Sequence, residues 1–343
     1  MGFDLTTAVA THTCRSVEEQ AMLLDAWNQS YCQISRGSFD GSITSFAAGS
    51  VRIHVERLNR TVYQRGEVAP DRIAVGVPFQ LEGHALLCGE KSHRDALHVF
   101  SGSNGFEFLS PDRHLVVNLE ITAADSRSDG VRAQLREIAE RLAGRAGVRN
   151  AEPLRLDAFR TTLAQMLAAI QDTPALLDDP QVAASLERSA VFGLADVLPD
   201  PPARDAAPAA HATRTAGTTH THRTARHWQL VRAVRELVEA SPDGPLTVAE
   251  LCVRLRASRR TLQYAFEESL GVNPFMYMRA VRLGHARNEL QRADTVTEAA
   301  TRWGFWHLGN FSNEYREQFG ELPSETLRRH RGQDAAADHA PKA

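Results

Sequence analysis

The chain has 343 residues and a net charge of −3, from 39 Lys and Arg against 42 Asp and Glu, and is long enough for two or three domains. Its apolar fraction of 43% and charged fraction of 24% are those of a globular protein. There is no apolar run of about 18 residues to suggest a membrane span. MGFDLTTAVATHT lacks the basic-then-apolar order of a secretory signal, so the cytoplasm is the expected location. Cys14, Cys32, Cys88 and Cys252 form no CxxC pair, which argues against a disulfide framework or a cysteine zinc site.

The charge is uneven. From Arg223 to Gly332 there are 17 Lys and Arg against 13 Asp and Glu, while residues 1–222 carry 21 against 27. A basic C-terminal segment on an acidic remainder suggests that one domain meets a polyanion and the other does not.

Residues 39–121 read as strands. Val51, Ile53 and Val55 alternate with Arg52, His54 and Glu56, and Ile73, Val75, Val77 and Phe79 share one face. HALLCG, ALHVFSG, FEFL and HLVVNLEI follow between turn signals, the pattern of an antiparallel sandwich or barrel. Helices come next. Val131, Leu135, Ile138 and Leu142 form one stripe, and Phe159, Leu163, Met166, Leu167 and Ile170 another; such stripes pack on a sheet or on a second copy. A third helix starts at Pro180 after Asp179. Residues 201–225, rich in Pro, Ala and Thr, read as a linker. The lone pair His220 and His222 within it is too little for a metal site.

After the linker all signals are helical. Thr247 with Glu250, and Thr295 with Glu298, have the spacing of capping boxes. Gly271 and Gly320 suit left-handed C-terminal caps, and Asn273 with Pro274 suits a helix start. TVAELCVRLRASRRTLQYAFEESLG and TVTEAATRWGFWHLGNFSNEYREQFG then share one plan: a capped short helix, a tight turn, and a second helix closing at glycine. Each second helix carries an apolar stripe, Leu262–Phe266–Leu270 or Phe311–Tyr315–Phe319.

Two short helices joined by a tight turn make a helix-turn-helix, whose second helix enters the major groove of DNA. With the stripe buried, Arg259, Arg260, Gln263 and Tyr264 lie on the free face of the first unit, and His307, Gly309, Asn310, Asn313 and Arg316 on that of the second. Arg suits guanine O6 and N7, Asn and Gln suit adenine, and Gly admits close backbone approach. Glu267 and Glu268 oppose phosphate attraction and could accept from cytosine N4. Residues 274 to about 291 span roughly 25 Å as a helix, so the two reading helices are expected about 34 Å apart, one turn of DNA.

The residues SRRTLQYAFEESLGVNPFMYMRAVRL and WGFWHLGNFSNEYREQFGELPSETLR closely resemble the DNA-binding domain of the AraC/XylS family of bacterial transcription regulators. GSFDGSITSFAAGSVRIHVERLNRTVYQRG is similar to the N-terminal half of regulators of the ethanolamine-operon type. The resemblance implies an α+β chain: an N-terminal β-rich cupin-like barrel or sandwich with accessory helices, and a C-terminal all-α domain of two helix-turn-helix units. The expected division is a sensor or dimerisation domain at 1–200, the linker at 201–225, the DNA-binding domain at 226–332, and a disordered tail at 333–343. Expected partners are double-stranded operator DNA, a small-molecule effector, a second copy of the chain and, for an activator, RNA polymerase, with no membrane.

No cofactor and no catalysis are expected. A metal cupin needs a tight HxH, a carboxylate and a distant His, whereas His84, His93, His98 and His114 are spread out. The other reading for the N-terminal half is a metal-dependent cupin enzyme fused to a DNA-binding domain; a third is a domain that only dimerises. Arg57, Arg60 and Arg65 could together clamp an anionic effector, and an effector pocket is expected among inward strand residues such as Ile53, Val75, Val77 and Phe79.

Overall fold

The computed structural model describes residues 9–24, 26–101, 105–142, 146–199, 217–241, 244 and 246–338. The chain divides into two compact units: Met1–Ser30 with Asp40–Asn59 and Gln64–Ala216, and Tyr31–Phe39 with Arg60–Tyr63 and Gly217–Ala343. The boundary expected at residue 200 thus misses two short early segments that group with the second unit.

The N-terminal half runs β1 (Ala10–Cys14), α1 (Val17–Ala21), β2 (Trp27–Gln33), β3 (Gly41–Ala48), β4 (Val51–Leu58), β5 (Val62–Val68), β6 (Ile73–Glu82), β7 (Leu86–Leu87), β8 (Glu90–Lys91), β9 (Ala96–Val99), β10 (Phe106–Ser110) and β11 (Arg113–Ile121). Then come α2 (Asp129–Leu142), β12 (Gly147–Asn150), α3 (Pro153–Asp172) and α4 (Pro180–Val197). Seven strands form one sheet in the order β1-β3-β4-β11-β6-β9-β12, and five form another in the order β2-β5-β10-β7-β8. The pairings β1–β3, β3–β4, β4–β11, β11–β6, β6–β9 and β9–β12 are all antiparallel.

The two faces of the seven-stranded sheet have opposite chemistry, because successive side chains point to opposite sides. One face carries Ile53, Val75, Val77, Val117, Leu119 and Ile121, which pack with Val131, Leu135 and Ile138 of α2, Phe159, Leu163 and Ile170 of α3, and Val191 and Leu194 of α4. The helix stripes therefore cover the sheet. This overturns the expectation of an effector pocket at Ile53, Val75, Val77 and Phe79: these positions meet the helices, not a barrel lumen.

The other face looks toward the second sheet, across a core of Trp27, Ile43, Phe100, Phe106 and Phe108. It is polar. His54, Glu56, His98, His114, Asn118 and Glu120 are all buried there. Buried polar groups persist when they find partners, and Glu120, His54, Glu56 and His98 each have at least one. Trp27 Nε1 donates to Glu120 Oε2 at 3.0 Å, Arg72 and Arg52 pair with Oε1, and Ser45 Oγ meets His54 Nδ1 at 2.7 Å. Gln20 Nε2 donates to Glu56 Oε1 at 3.2 Å, and Ser92 bonds His98.

The C-terminal half is all helical: α5 (Gly217–Glu239), α6 (Val248–Arg254), α7 (Arg259–Leu270), α8 (Pro274–Glu289), α9 (Val296–Arg302), α10 (Leu308–Phe319) and α11 (Pro323–Asp338). Two boundaries differ from expectation. Helix α5 begins at Gly217, inside the expected linker, and α11 runs to Asp338, into the expected tail. Residues 201–216 and 339–343 fall outside the described residues, as do the side chains of His220 and His222.

The caps follow the sequence signals. Around α6, Glu250 N donates to Thr247 Oγ1 at 3.2 Å and Thr247 N to Glu250 Oε2 at 2.7 Å, a complete box. At α9 the box is displaced by one residue: Glu298 N donates to Thr295 Oγ1, but the Glu298 carboxylate takes the amide of Asp294. Asn273 caps α8 with Pro274 at its first turn. Gly271 and Gly320 close α7 and α10 with φ of 68° and 75°, where a Cβ would be strained. Thr247→Ala removes one cap acceptor and is expected to lower the unfolding free energy of the second unit by about 1 kcal/mol. Urea denaturation reads this; an unchanged midpoint and slope would show the box to be dispensable.

Candidate nucleic-acid interface

The buried stripe of α10 explains how its other face comes to be free. Phe311, Tyr315 and Phe319 sit in one cluster with Phe305, with Leu283, Ala286 and Leu290 of α8 and its end, and with Ala299 and Ala300 of α9. The rings step along the helix, Phe305–Phe311 at 5.0 Å, Phe311–Tyr315 at 5.6 Å and Tyr315–Phe319 at 4.7 Å between centroids. The Tyr315 hydroxyl lies 2.9 Å from Thr326 Oγ1, which anchors α11. With that side committed to packing, His307, Gly309, Asn310, Asn313 and Arg316 are all exposed. A Cβ built at Gly309 would meet nothing within 4 Å.

The first unit repeats the arrangement. Leu262, Ala265, Phe266, Ser269 and Leu270 of α7 are buried, with Phe266 against Tyr277 of α8 at 5.1 Å between centroids. Arg259, Arg260 and Tyr264 are exposed and Gln263 is half-buried. Arg260 and Tyr264 act as a pair: Arg260 Nη2 donates to the Tyr264 hydroxyl at 2.9 Å, and the guanidinium lies 5.1 Å from the ring centroid. Gln263 Nε2 donates to Glu267 Oε1 at 2.5 Å. Glu268 turns away from the exposed face, its Oε2 lying 2.7 Å from His227 Nδ1 on α5. It is therefore a tie to α5 rather than a candidate for cytosine.

Sequence reasoning missed a groove between the two helix-turn-helix units. It has a volume of about 390 Å³ and is lined among others by Phe275, Arg279 and Arg282 of α8, by Phe305 and Trp306, and by His307 and Asn310 at the start of α10. Phe275 and Trp306 are exposed at 51% and 65%. Arg279 pairs with Glu314 of α10, and the guanidinium carbons of Arg279 and Arg282 both lie 5.5 Å from the Phe305 ring centroid. A signal was present: Phe275, Arg279 and Arg282 fall at i, i+4 and i+7, one face of α8. Trp306 carried none, because it reaches the groove only through the tertiary fold.

The other candidate residues do not assemble. Arg57 and Arg65 are exposed on β4 and β5, and Arg60 groups with the second unit. His84 and His93 are exposed, and His98 and His114 are buried between the sheets. Among the described residues, no group of three or more His, Cys, Asp or Glu could hold a metal ion. Nor is any described helix long and apolar enough to cross a membrane.

Two successive helical hairpins, each with a buried stripe on its second helix and an exposed polar face opposite, define a double helix-turn-helix domain. Residues 251–329 match the family model described as a helix-turn-helix domain, and the C-terminal region of this chain belongs to the AraC-type family of such domains. The "Probable thc operon regulatory protein" of Rhodococcus erythropolis is 44% identical over 103 residues, 29% of this chain and 31% of that protein. "XylDLEGF operon transcriptional activator 2" of Pseudomonas putida is 35% identical over 102 residues, 29% of this chain and 65% of that one. The chain thus spans about a third of the length of the first relative and under two thirds of the second. The crystal structure of a probable AraC family transcriptional regulator from Rhodopseudomonas palustris aligns at 42% identity over 30% of this chain and 97% of that one, with a TM-score of 0.28.

Proposed function

We propose that the protein is a sequence-specific DNA-binding transcription regulator acting as an activator, with α7 and α10 as its reading helices. The observation that carries this is the repeated unit: the same buried stripe, the same left-handed glycine stop and the same polar outer face occur twice in one AraC-type domain. Arg259, Arg260, Gln263 and Tyr264 on α7 and its first turn, and His307, Gly309, Asn310, Asn313 and Arg316 at α10, are assigned to base edges and the adjacent backbone. The relatives named as operon regulators and activators support the regulatory reading. The N-terminal β-rich half is assigned to effector response and to pairing of two copies, through a change in which DNA-bound arrangement is favoured. RNA polymerase is the partner that activation requires. We assign no catalytic activity, and the cytoplasm as location.

The test is in vitro selection of random duplexes by the full chain. The expected motif has two blocks with centres about 10 base pairs apart, one helical turn. Enrichment of no motif would overturn the reading. Asn313→Ala and Arg260→Ala, both at exposed positions, are expected to leave the fold intact. Each should relax preference at its own base pair, costing about 1–3 kcal/mol of discrimination there. Competition binding on a set of single-base variants of the motif measures this, and an unchanged preference profile would remove the residue from the reading face.

A further inference from the structure

The groove between the two helix-turn-helix units holds a cation without a counter-charge. Arg282 is 9% exposed, and among the described residues no carboxylate or hydrogen-bond acceptor meets its guanidinium. Its contact is the face of Phe305. Burying a charge without a partner is costly, and its neighbour makes matters worse: burial first, and then Arg279, hold the Arg282 pKa below the usual value. Arg279 at least has Glu314. Arg282 therefore stands ready for an anion that enters the groove from outside.

A second observation points the same way. Helix α10 starts at the groove rim, and its N-cap, His307, makes no side-chain capping bond. The first-turn amides of α10 then lack a side-chain acceptor from the cap, and the positive end of the helix favours an anion there. The groove walls identify the anion. A lone inorganic ion has no use for Phe275, Phe305 and Trp306, whereas a nucleic-acid backbone alternates a phosphate with an apolar sugar. A cation set between exposed aromatic walls matches that alternation. The position also fits, since His307 and Asn310 line the groove and belong to the exposed face of α10.

We propose that this groove seats one backbone phosphate of the bound duplex, held by Arg282 and the N-terminus of α10, with the flanking sugars against Phe275 and Trp306. The proposal rests on the DNA-binding reading and adds to it a sequence-independent anchor between the two reading helices. Such a contact fixes register without reading bases.

The experiment measures the affinity of the full chain for a random-sequence duplex over a range of salt. Arg282→Gln should flatten the slope of log K against log salt by about 0.9, the share of one phosphate, and weaken all sequences alike. Arg282→Lys should restore the slope. Trp306→Glu places a carboxylate on the exposed rim, so it stays informative even if Arg282→Gln does not fold; it should weaken binding, while Leu154→Glu on the first unit should not. A slope unchanged in Arg282→Gln, or equal effects of Trp306→Glu and Leu154→Glu, would overturn the seat. Should inorganic phosphate raise the melting temperature of the wild type but not of Arg282→Gln, with the DNA slope unchanged, the anion is a free one and the proposal fails in favour of a small-ligand site. If the wild-type chain binds no duplex under any condition, it is the DNA-binding reading that fails.

Discussion

Phe311→Ala is expected to destabilise the second unit by about 3–5 kcal/mol, the usual cost of a phenylalanine-sized cavity in a packed core. Phe311 is 1% exposed and stands between Phe305 and Tyr315 in the ring stack. Through the same cluster it links α8, α9 and α10, so little around it can collapse into the space. Single domains are stable by about 5–15 kcal/mol in all, which places the variant near the edge of folding. Urea denaturation with far-UV circular dichroism should show the C-terminal transition moving to lower urea while that of the first unit stays. DNA affinity should fall with it. Tyr315→Phe is the contrast: it keeps the ring and loses the bond to Thr326, which retains Glu321 as a partner, so about 1 kcal/mol is expected. If Phe311→Ala cost no more than Tyr315→Phe, the ring stack would not be what holds α10.

Glu120→Gln is expected to cost the first unit about 3 kcal/mol at neutral pH, in the range for breaking one side of a buried charge network. Burial pushes the Glu120 carboxyl up, but His54, Arg72 and Arg52 together pull it further down, to about 2. Since this folded value lies below the unfolded one of about 4.3, the stabilisation is present above pH 4.3 and is lost as pH falls toward 2. The variant should lack that part of the acid transition. His98 supplies a separate part. Burial, followed by His114 and His93, lowers its pKa to about 3; it folds neutral, and its contribution fades between the unfolded value of about 6.5 and 3. Stability of the first unit against pH, followed by Trp27 fluorescence, should therefore fall in two stages in the wild type. In Glu120→Gln the lower stage should be missing. If both proteins gave the same acid profile, the carboxylate would not be carrying the network.

The helix-turn-helix units were legible because their signals are local. A cap, its partner three residues on, a stripe at four-residue spacing and a stop glycine all lie within one short window, and Thr247–Glu250, Asn273–Pro274 and Gly271 appear where those windows place them. The strands were legible as strands, since alternation is local too. What alternation leaves open is which face is covered by what. Both faces of β4 and β11 are buried, the apolar one by helices that come later in the chain and the polar one by partners as distant as Trp27 from Glu120. Taking apolar to mean lumen put Ile53 and Val75 on the wrong side. The end of α11 differed for a related reason: the residues past Gly332 include three alanines in a row, the best helix formers, so α11 continues where a disordered tail was expected.

On α10 the residues that hold the helix and those it displays share no member. The stripe Phe311, Tyr315 and Phe319 is buried, while Gly309, Asn310, Asn313 and Arg316 are exposed, and the helix is stopped at Gly320 whatever those four positions carry. A randomised library at the four should therefore remain folded almost throughout, apart from proline. If α10 reads DNA as proposed, such a helix can be re-lettered: new operator preferences become reachable by substitution alone, in the laboratory or by drift, with no intermediate that first has to survive unfolding.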